Sequence, residues 1–370
     1  METSRITNIQ LKHVVLPLKK SYTNSLGSKD MIDSLVLIVK TDTDYSGLCS
    51  LEFDAPSYSE ETWYEAEHII RNEFEKILLR SDASDRNLIY KEMDAAVFGH
   101  LMSKALVDGA LFDLQGKITG YPVYKLLGGK IRDFSQVIGW VGIDSEDKML
   151  SEAEKFVSDG YSCLKFKIGA NKNRIIELIK NLREELGYDF SIRLDANQSL
   201  TRSNALSILQ DIYKFEIELL EQPVNRLDIQ SLKFLNKRSP VPIMVDESVI
   251  TVEDMLNIVN NEAASFVKVK VFRSGGIEKT KAILSVASSS GIECIIGNGF
   301  SSSIGTSVEL SLAVTHPALK SFNEFVGPLK LRRDIVTRPV AFVKNKVGPL
   351  TAPGFGFSEG DLSSMIRADS

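Results

Sequence analysis

Five charged side chains stand where short apolar runs end: Lys167, Asp195, Glu221, Asp246 and Lys270. The runs close as Lys165-Phe166-Lys167, Arg193-Leu194-Asp195, Leu220-Glu221-Gln222-Pro223, Val245-Asp246-Glu247-Ser248 and Lys268-Val269-Lys270. The intervals of 28, 26, 25 and 24 residues each span about one strand-plus-helix unit, which predicts a common height on consecutive strands. Three carboxylates from adjacent strands suit a hard divalent cation, and Mg²⁺ would keep open positions for waters or substrate oxygens. Lysines from the flanking strands then face one another across the cation. Lys165 and Lys167, two residues apart, point to one face. Two ammonium groups near each other and near a cation are expected to depress each other's pKa, which makes Lys167 a base near neutral pH. The implied chemistry is removal of a proton from the carbon beside a carboxylate, with the metal stabilising the enolate.

Taken singly, each of these charges has a plainer reading. An acid at a strand end is usually a helix cap, as Asp246 before Glu247-Ser248 could be, and Lys268 and Lys270 could line a solvated strand edge. Caps do not explain five suitable charges ending five consecutive apolar strands. Other candidates carry less. The histidines His13, His68, His100 and His316 follow no metal-ligand spacing, and His316 before Pro317 reads as a structural loop residue. Ser301-Ser302-Ser303 follows Gly297-Asn298-Gly299 without a His/Asp partner arrangement, so this turn is read as one where substrate approaches the backbone. Gly275-Gly276 opens a helix whose amides could hold a phosphate, but a tight turn accounts for it better.

The elements that must position these residues form two blocks. Apolar runs at 136–141, 163–168, 191–194, 217–220, 243–245, 266–269, 292–296 and 321–325 alternate with amphipathic helical stretches. Eight such units predict a parallel barrel. No GxGxxG fingerprint follows an early strand, which disfavours a doubly wound open sheet. Before them, strands at 6–16, 35–41 and 48–53 and helices at 60–79, 86–93 and 103–119 predict an α+β domain. In the tail, 340–344 reads as a strand, and Pro353-Gly354-Phe355-Gly356-Phe357 is expected to return to the N-terminal domain. The expected fold is therefore α/β: a modified (β/α)8 TIM barrel over 131–334, with an α+β capping domain over 1–130 completed by 335–370.

The 370 residues fit a barrel of about 250 plus such a domain. The hydrophobic fraction of 43% and charged fraction of 25% are those of a soluble globular protein. A net charge of −5 without a long block of one sign argues against a nucleic-acid surface. No apolar run approaches the roughly 20 residues needed to cross a bilayer, and the first residues lack a signal-peptide pattern. Cys49, Cys163 and Cys294 are few, separated and odd in number, which suits buried thiols in a reducing compartment. A cytoplasmic homo-oligomer acting on a small molecule, without nucleic-acid or membrane partners, is the expectation.

Over essentially its whole length the chain resembles the muconate lactonizing subgroup of the enolase superfamily. The likeness rests on Ala110-Leu111-Phe112-Asp113-Leu114-Gln115-Gly116-Lys117 and Leu126-Leu127-Gly128-Gly129 in the first block. In the second it rests on Lys165-Phe166-Lys167-Ile168-Gly169, Asp195-Ala196-Asn197, Glu221-Gln222-Pro223, Asp246-Glu247-Ser248 and Lys270 before Gly275-Gly276. The resemblance implies Mg²⁺ on Asp195, Glu221 and Asp246, an opposed acid/base pair in Lys167 and Lys270, and an auxiliary Lys165. It also makes Asn197 the polar residue beyond the first metal ligand. Ile296-Gly297-Asn298 has no histidine at the end of strand seven, so the two-lysine branch fits better than the mandelate racemase branch. Glu324-Phe325-Val326-Gly327-Pro328-Leu329 is similar to strand eight of muconate cycloisomerases, whose acidic residue after strand seven is Ser301 here. The paired aspartates of dipeptide epimerases are replaced by Glu324 and Val326. The resemblance puts substrate choice in capping loops at 21–29 and 51–58, whose Ser21, Tyr22, Asn24, Lys29 and Asp54 imply a hydrophilic carboxylate. Asn298, Ser301, Glu324, Tyr22 and Asp54 are thus the candidate substrate contacts. An isomerase (racemase, epimerase or cycloisomerase) is the first expectation and a sugar-acid-type dehydratase the second. A catalytically silent binding protein is the third.

Overall fold

The computed structural model describes residues 4–25, 27–53, 60–319 and 322–364. Asp54 and the 54–58 part of the second expected capping loop lie outside the described residues, as does position 321 of the eighth run.

The N-terminal strands form an antiparallel sheet in the order β1 (Ile6–Asn24), β2 (Gly27–Thr41) and β3 (Ser46–Phe53). The 21–29 segment is not a loose loop. Tyr22 pairs with Lys29, Thr23 with Ser28 and Asn24 with Gly27, so the β1–β2 hairpin extends as a ribbon. It reaches the second block, where Ile143 N donates to Thr23 O at 2.9 Å and Ser25 Oγ to Asn197 O at 3.3 Å. Helix Leu101–Thr119 is buried along nearly its whole length, because sheet packs on one side and barrel on the other. Its first amides donate to the Glu61 carboxylate, Met102 N at 2.8 Å, which places an anion at the positive helix end.

The second sheet is parallel: β5 (Gly139–Val141), β6 (Cys163–Lys167), β7 (Ser191–Asp195), β8 (Ile217–Glu221), β9 (Ile243–Val245), β10 (Phe266–Val269) and β11 (Glu293–Ile296), each hydrogen-bonded to the next. The first expected run, 136–141, is broken at Ile138. Its earlier half, β4 (Ser135–Val137), joins β12 (Phe322–Asn323) on one side and β13 (Lys346–Val347) on the other. Glu324 N donates to Ile296 O and Ile138 N to Asn323 O, which carries the ring from β11 through β12 to the β4–β5 bend. The strand expected at 340–344 is absent. Lys346–Val347 pairs instead, because Gln136 and Ser135 offer backbone partners there. Farther on, Val123 N donates to Gly354 O at 2.9 Å and Phe355 N to Asp113 Oδ1 at 2.6 Å. A Cβ at Gly354 (φ +69°) would stand 2.2 Å from that carboxylate, so only glycine fits.

Side chains alternate along each barrel strand. Leu219, Met244 and Ile295, with Phe266 against them, form an apolar inner layer separate from the main core. Leu220, Val245, Val267 and Ile296 belong to the main core instead.

Candidate active site

The ladder register sets the height of each charge. Lys167 pairs with Asp195, Asp195 with Glu221, Glu221 with Met244 and Met244 with Phe266. By register alone Asp246 stands two residues above Glu221, and Lys270 four above Phe266. Barrel strands are tilted, and a shear of about 8 over eight strands displaces the register by roughly one residue per strand. Four residues over the four steps from β6 to β10 therefore return Lys270 to the height of Lys167. This is why the sequence intervals repeat at about one unit.

All five side chains are buried, and so are Lys165, Lys268 and Glu324. Lys167 Nζ donates to Asp195 Oδ2 and Asn197 Oδ1, both at 2.6 Å. Lys165 Nζ lies 2.9 Å from Asp195, 2.6 Å from Glu221 and 2.8 Å from Glu324. Lys268 Nζ contacts Glu221 and lies 3.0 Å from both Asp246 and Glu324. Lys270 Nζ donates to Asp246 Oδ2 at 2.8 Å. The reading of Lys268 as a solvated-edge residue is thus overturned: on the inner barrel face there is no solvated edge, and its ammonium lies among the acids.

Backbone conformation aims the carboxylates. Asn197 (φ +40°) and Gln222 (φ +35°) take left-handed conformations two residues beyond Asp195 and one beyond Glu221. Such strain in residues other than glycine concentrates at functional sites. Gln222 Oε1 accepts from Asp246 N at 3.0 Å, and its Nε2 donates to Ser248 Oγ at 2.8 Å, so one buried amide fixes the turn that carries Asp246. Asn197 Nδ2 donates to Glu247 Oε1 at 3.2 Å.

The two lysines differ electrostatically. Burial is the largest influence on Lys167 and acts to lower its pKa, but Asp195, Tyr22 and Glu221 together outweigh it and hold the ammonium above its usual value. The expected depression by a neighbouring lysine is present, from Lys165, and is too small to decide the direction. Lys270 goes the other way: burial, with repulsion from Arg273 and Lys268, overcomes Asp246 and brings it to about 8. Lys165 and Lys167 hold Asp195 well below the carboxylate range against burial, whereas burial and the nearby Asp195 push Glu221 well above it. Glu324 is brought to about 2, against burial, by Lys165 and Lys268.

Among the described residues no three acidic, histidine or cysteine groups form a ready cation cage. The ammonium groups of Lys165 and Lys268 bridge the carboxylates instead. Even so, Glu221 Oε2 and Asp246 Oδ1 are buried without a hydrogen bond among the described residues. Their cationic neighbours, Lys165 at 2.6 Å and Arg273 NH1 at 3.3 Å, are not aligned as donors. An all-oxygen donor set with unaligned lone pairs suits a hard divalent cation.

Above the acids a cavity is lined by Lys165, Lys167, Lys268, Lys270, Asn298 and Glu324, with Tyr22 and Asn24 of the hairpin closing it. Ser301 is not solitary. Its hydroxyl donates to Glu52 Oε2 of β3 at 2.6 Å and accepts from Asn298 Nδ2 at 2.8 Å. Glu52, Trp140 and Lys330 also line this cavity and were not singled out from the sequence. Gly275-Gly276 forms a tight turn, and the helix behind it is already occupied at its N-terminus: Ile277 N donates to the buried Asp108 at 2.6 Å.

Residues 148–359 match the model of the enolase C-terminal domain-like family, and residues 9–128 that of the mandelate racemase / muconate lactonizing enzyme N-terminal domain. The chain belongs to the mandelate racemase/muconate lactonizing enzyme family. This family member is 30% identical over 332 residues to N-succinyl-L-Arg/Lys racemase of Bacillus cereus, which covers 90% of this chain and 89% of the relative. It is similar in structure to the muconate lactonizing enzyme of Pseudomonas fluorescens complexed with muconolactone, with a TM-score of 0.94, 28% identity and 99% of each chain covered. A dipeptide epimerase of Enterococcus faecalis complexed with Mg and the dipeptide L-Leu-L-Tyr gives a TM-score of 0.90 at 28% identity, over 95% of this chain and 99% of that one. Racemase, lactonizing enzyme and epimerase are all isomerases of the enolase superfamily, and so is this family member. No helix among the described residues is long and apolar enough to cross a membrane.

Proposed function

We propose that this isomerase racemises or epimerises a small carboxylate by moving the proton on the carbon beside the carboxylate group, with Lys167 and Lys270 acting on opposite faces. The supporting observation is that both ammonium groups border one cavity from β6 and from the end of β10, with the three acids between them. Asp195, Glu221 and Asp246 would hold Mg²⁺, which supplies positive charge where the substrate carboxylate gains electron density. Lys270, the more readily neutral of the two, takes the proton from one enantiomer as an amine, and protonated Lys167, oriented by Asn197, returns one from the other side. The roles reverse for the opposite enantiomer. Lys165 and Lys268 hold Glu324 ionised and pinned, so it is not offered to a substrate ammonium. The hairpin residues Tyr22 and Asn24 exclude bulk water. A division near residue 130, a cytoplasmic location, which the free buried cysteines suit, and a homo-oligomeric state belong to the same reading.

Incubation of N-acyl amino acids and other carboxylates with the protein and Mg²⁺ in D₂O tests it. Deuterium uptake at the α-carbon without change of constitution is expected. Lys167→Ala and Lys270→Ala should each abolish exchange from one enantiomer. Loss of water would instead establish a dehydratase, ring closure a cycloisomerase, and full activity in EDTA would refute the metal role.

A further inference from the structure

Five lysines line the cavity: Lys165, Lys167, Lys268, Lys270 and Lys330. The first four are committed to acids. Lys165 and Lys268 donate to Glu324, Lys167 to Asp195 and Lys270 to Asp246. Lys330, which ends the short helix Gly327–Lys330, is 9% exposed and among the described residues makes neither a hydrogen bond nor an ion pair. Its Nζ lies over three rings instead, 4.3 Å from Tyr22, 4.5 Å from Phe300 and 5.1 Å from Trp140.

Rings at these distances stabilise an ammonium group by about 0.5–2 kcal/mol, which does not offset the cost of burying one. Like charges add to that cost, since Lys29 also reaches Phe300, at 4.8 Å. Burial, with Lys167, Lys165 and Lys29, outweighs Glu324 and holds Lys330 well below its usual pKa. The side chain therefore stands as a neutral amine, which needs no counter-ion and can rest its N–H groups on ring faces. A lysine desolvated among apolar groups and near other cations is an activated nucleophile, because its electron pair carries no proton. One approach to that pair is open. Apart from its chain neighbours, a Cβ at Gly299 would meet only Lys330 Nζ within 4 Å, at 3.3 Å, so the missing side chain leaves room beside the nitrogen.

We propose that Lys330 is a covalent site for small apolar aldehydes, held as imines at the mouth of the cavity. Nζ attacks the carbonyl carbon to form a C–N bond, and the electrons of the C=O π bond pass to oxygen. The two amine hydrogens then leave with that oxygen as water, so that amine and aldehyde give imine and water with nothing else consumed. Rings around the nitrogen favour an aldehyde, whose carbonyl carbon bears a hydrogen, over a ketone, and they suit an apolar chain. Tyr22, Trp140 and Lys330 also border an outer cleft between β1 and helix Glu146–Ser158. The aldehyde reaches the amine from that cleft, and the imine closes the passage between cleft and cavity. Hydrolysis reverses the step, which makes the adduct a reversible block on the isomerase.

Treatment of the Mg²⁺-loaded protein at pH 7 with butanal and sodium cyanoborohydride tests the assignment, because the reductant converts an imine to a stable secondary amine. Intact mass and peptide mapping then count and locate the adducts. A single early adduct is expected at Lys330, formed roughly a hundredfold faster than at exposed lysines, since an ordinary lysine is almost wholly protonated at this pH. Lys330→Arg, which retains a long cationic side chain without a free electron pair, should abolish that adduct. Lys330→Met should do the same and serves should the arginine variant fail to fold. Label spread over exposed lysines, label at Lys270 or Lys167 in place of Lys330, no label, or an undiminished early adduct in the variants would overturn the proposal. The readout is mass and not turnover, so the site stands or falls separately from the proton-transfer reading.

Discussion

Asp108 and Asp113 on helix Leu101–Thr119 are as deeply buried as Asp195, Glu221 and Asp246 at the barrel mouth, but the two groups are satisfied in opposite ways. Asp113 accepts from Leu48 N at 2.7 Å, from Phe355 N at 2.6 Å and from Lys117 Nζ at 2.6 Å; Asp108 accepts from Ile277 N. These acids tie backbone segments from distant parts of the chain. Among the described residues the mouth acids have lysine ammonium groups as their main partners, with a single backbone amide, Asn197 N, on Asp195. Backbone amides cannot leave. Ammonium groups can swing or lose a proton, so the mouth acids are the ones able to exchange partners for a cation or a reacting group.

The widest separation between the two sets should appear in Asp195→Asn and Glu221→Gln. Turnover is expected to fall by at least about 10²–10⁴-fold, with cooperative unfolding retained. Unfolding of either variant at ambient temperature would place these acids with the structural set. Asp113→Ala should do the converse. Stranding two amides and an ammonium group is expected to cost about 3–5 kcal/mol in a denaturant titration, with kcat/KM of the folded fraction unchanged within about twofold. The smallest effect concerns Asp108, which burial raises from 3.8 to about 6. The folded protein then holds this proton more tightly than the unfolded chain does. The stability contributed by the group is present below about pH 3.8 and is lost as pH rises through 6, by roughly 2–3 kcal/mol. Asp108→Asn should lack that slope, and a wild-type-minus-variant stability difference constant between pH 4 and 7 would remove Asp108 from the comparison.

How legible each residue was depends on how far its partners lie along the chain. Lys167, Asp195, Glu221, Asp246 and Lys270 stand out because each breaks an apolar run at a fixed interval, a one-dimensional signal. Lys268 does not, since an alternating lysine is ambiguous until both faces of the strand are known to be covered. Glu52 meets Ser301 across 249 positions, and Lys330 finds its rings from β1, the β5 region and the turn after β11, so neither carries a local pattern. The direction for Lys167 was misjudged because it turns on Asp195 at 2.6 Å rather than on the neighbouring lysine. Two-residue strands such as Lys346–Val347 are selected by the backbone they meet, whereas 340–344, although apolar, makes only an isolated bridge from Val343 to Lys346.

The break at Ile138 bears on how the molecule is made. β4 is flanked by β12 and β13, so the first barrel run waits for partners about 185 and 210 positions later in the chain. Loop closure over such distances is slow, and long-range pairing is the late event in folding. During synthesis, β5 to β11 can assemble in the order in which they leave the ribosome. The seam then stays open until residue 323 has emerged, and one edge of β4 stays unpaired until residue 347 has. An arrested chain ending before that residue would expose an apolar edge to chaperones and proteases. The same late step joins Phe355 to Asp113, so N-terminal sheet, barrel and tail are locked together at the end of translation rather than one after another.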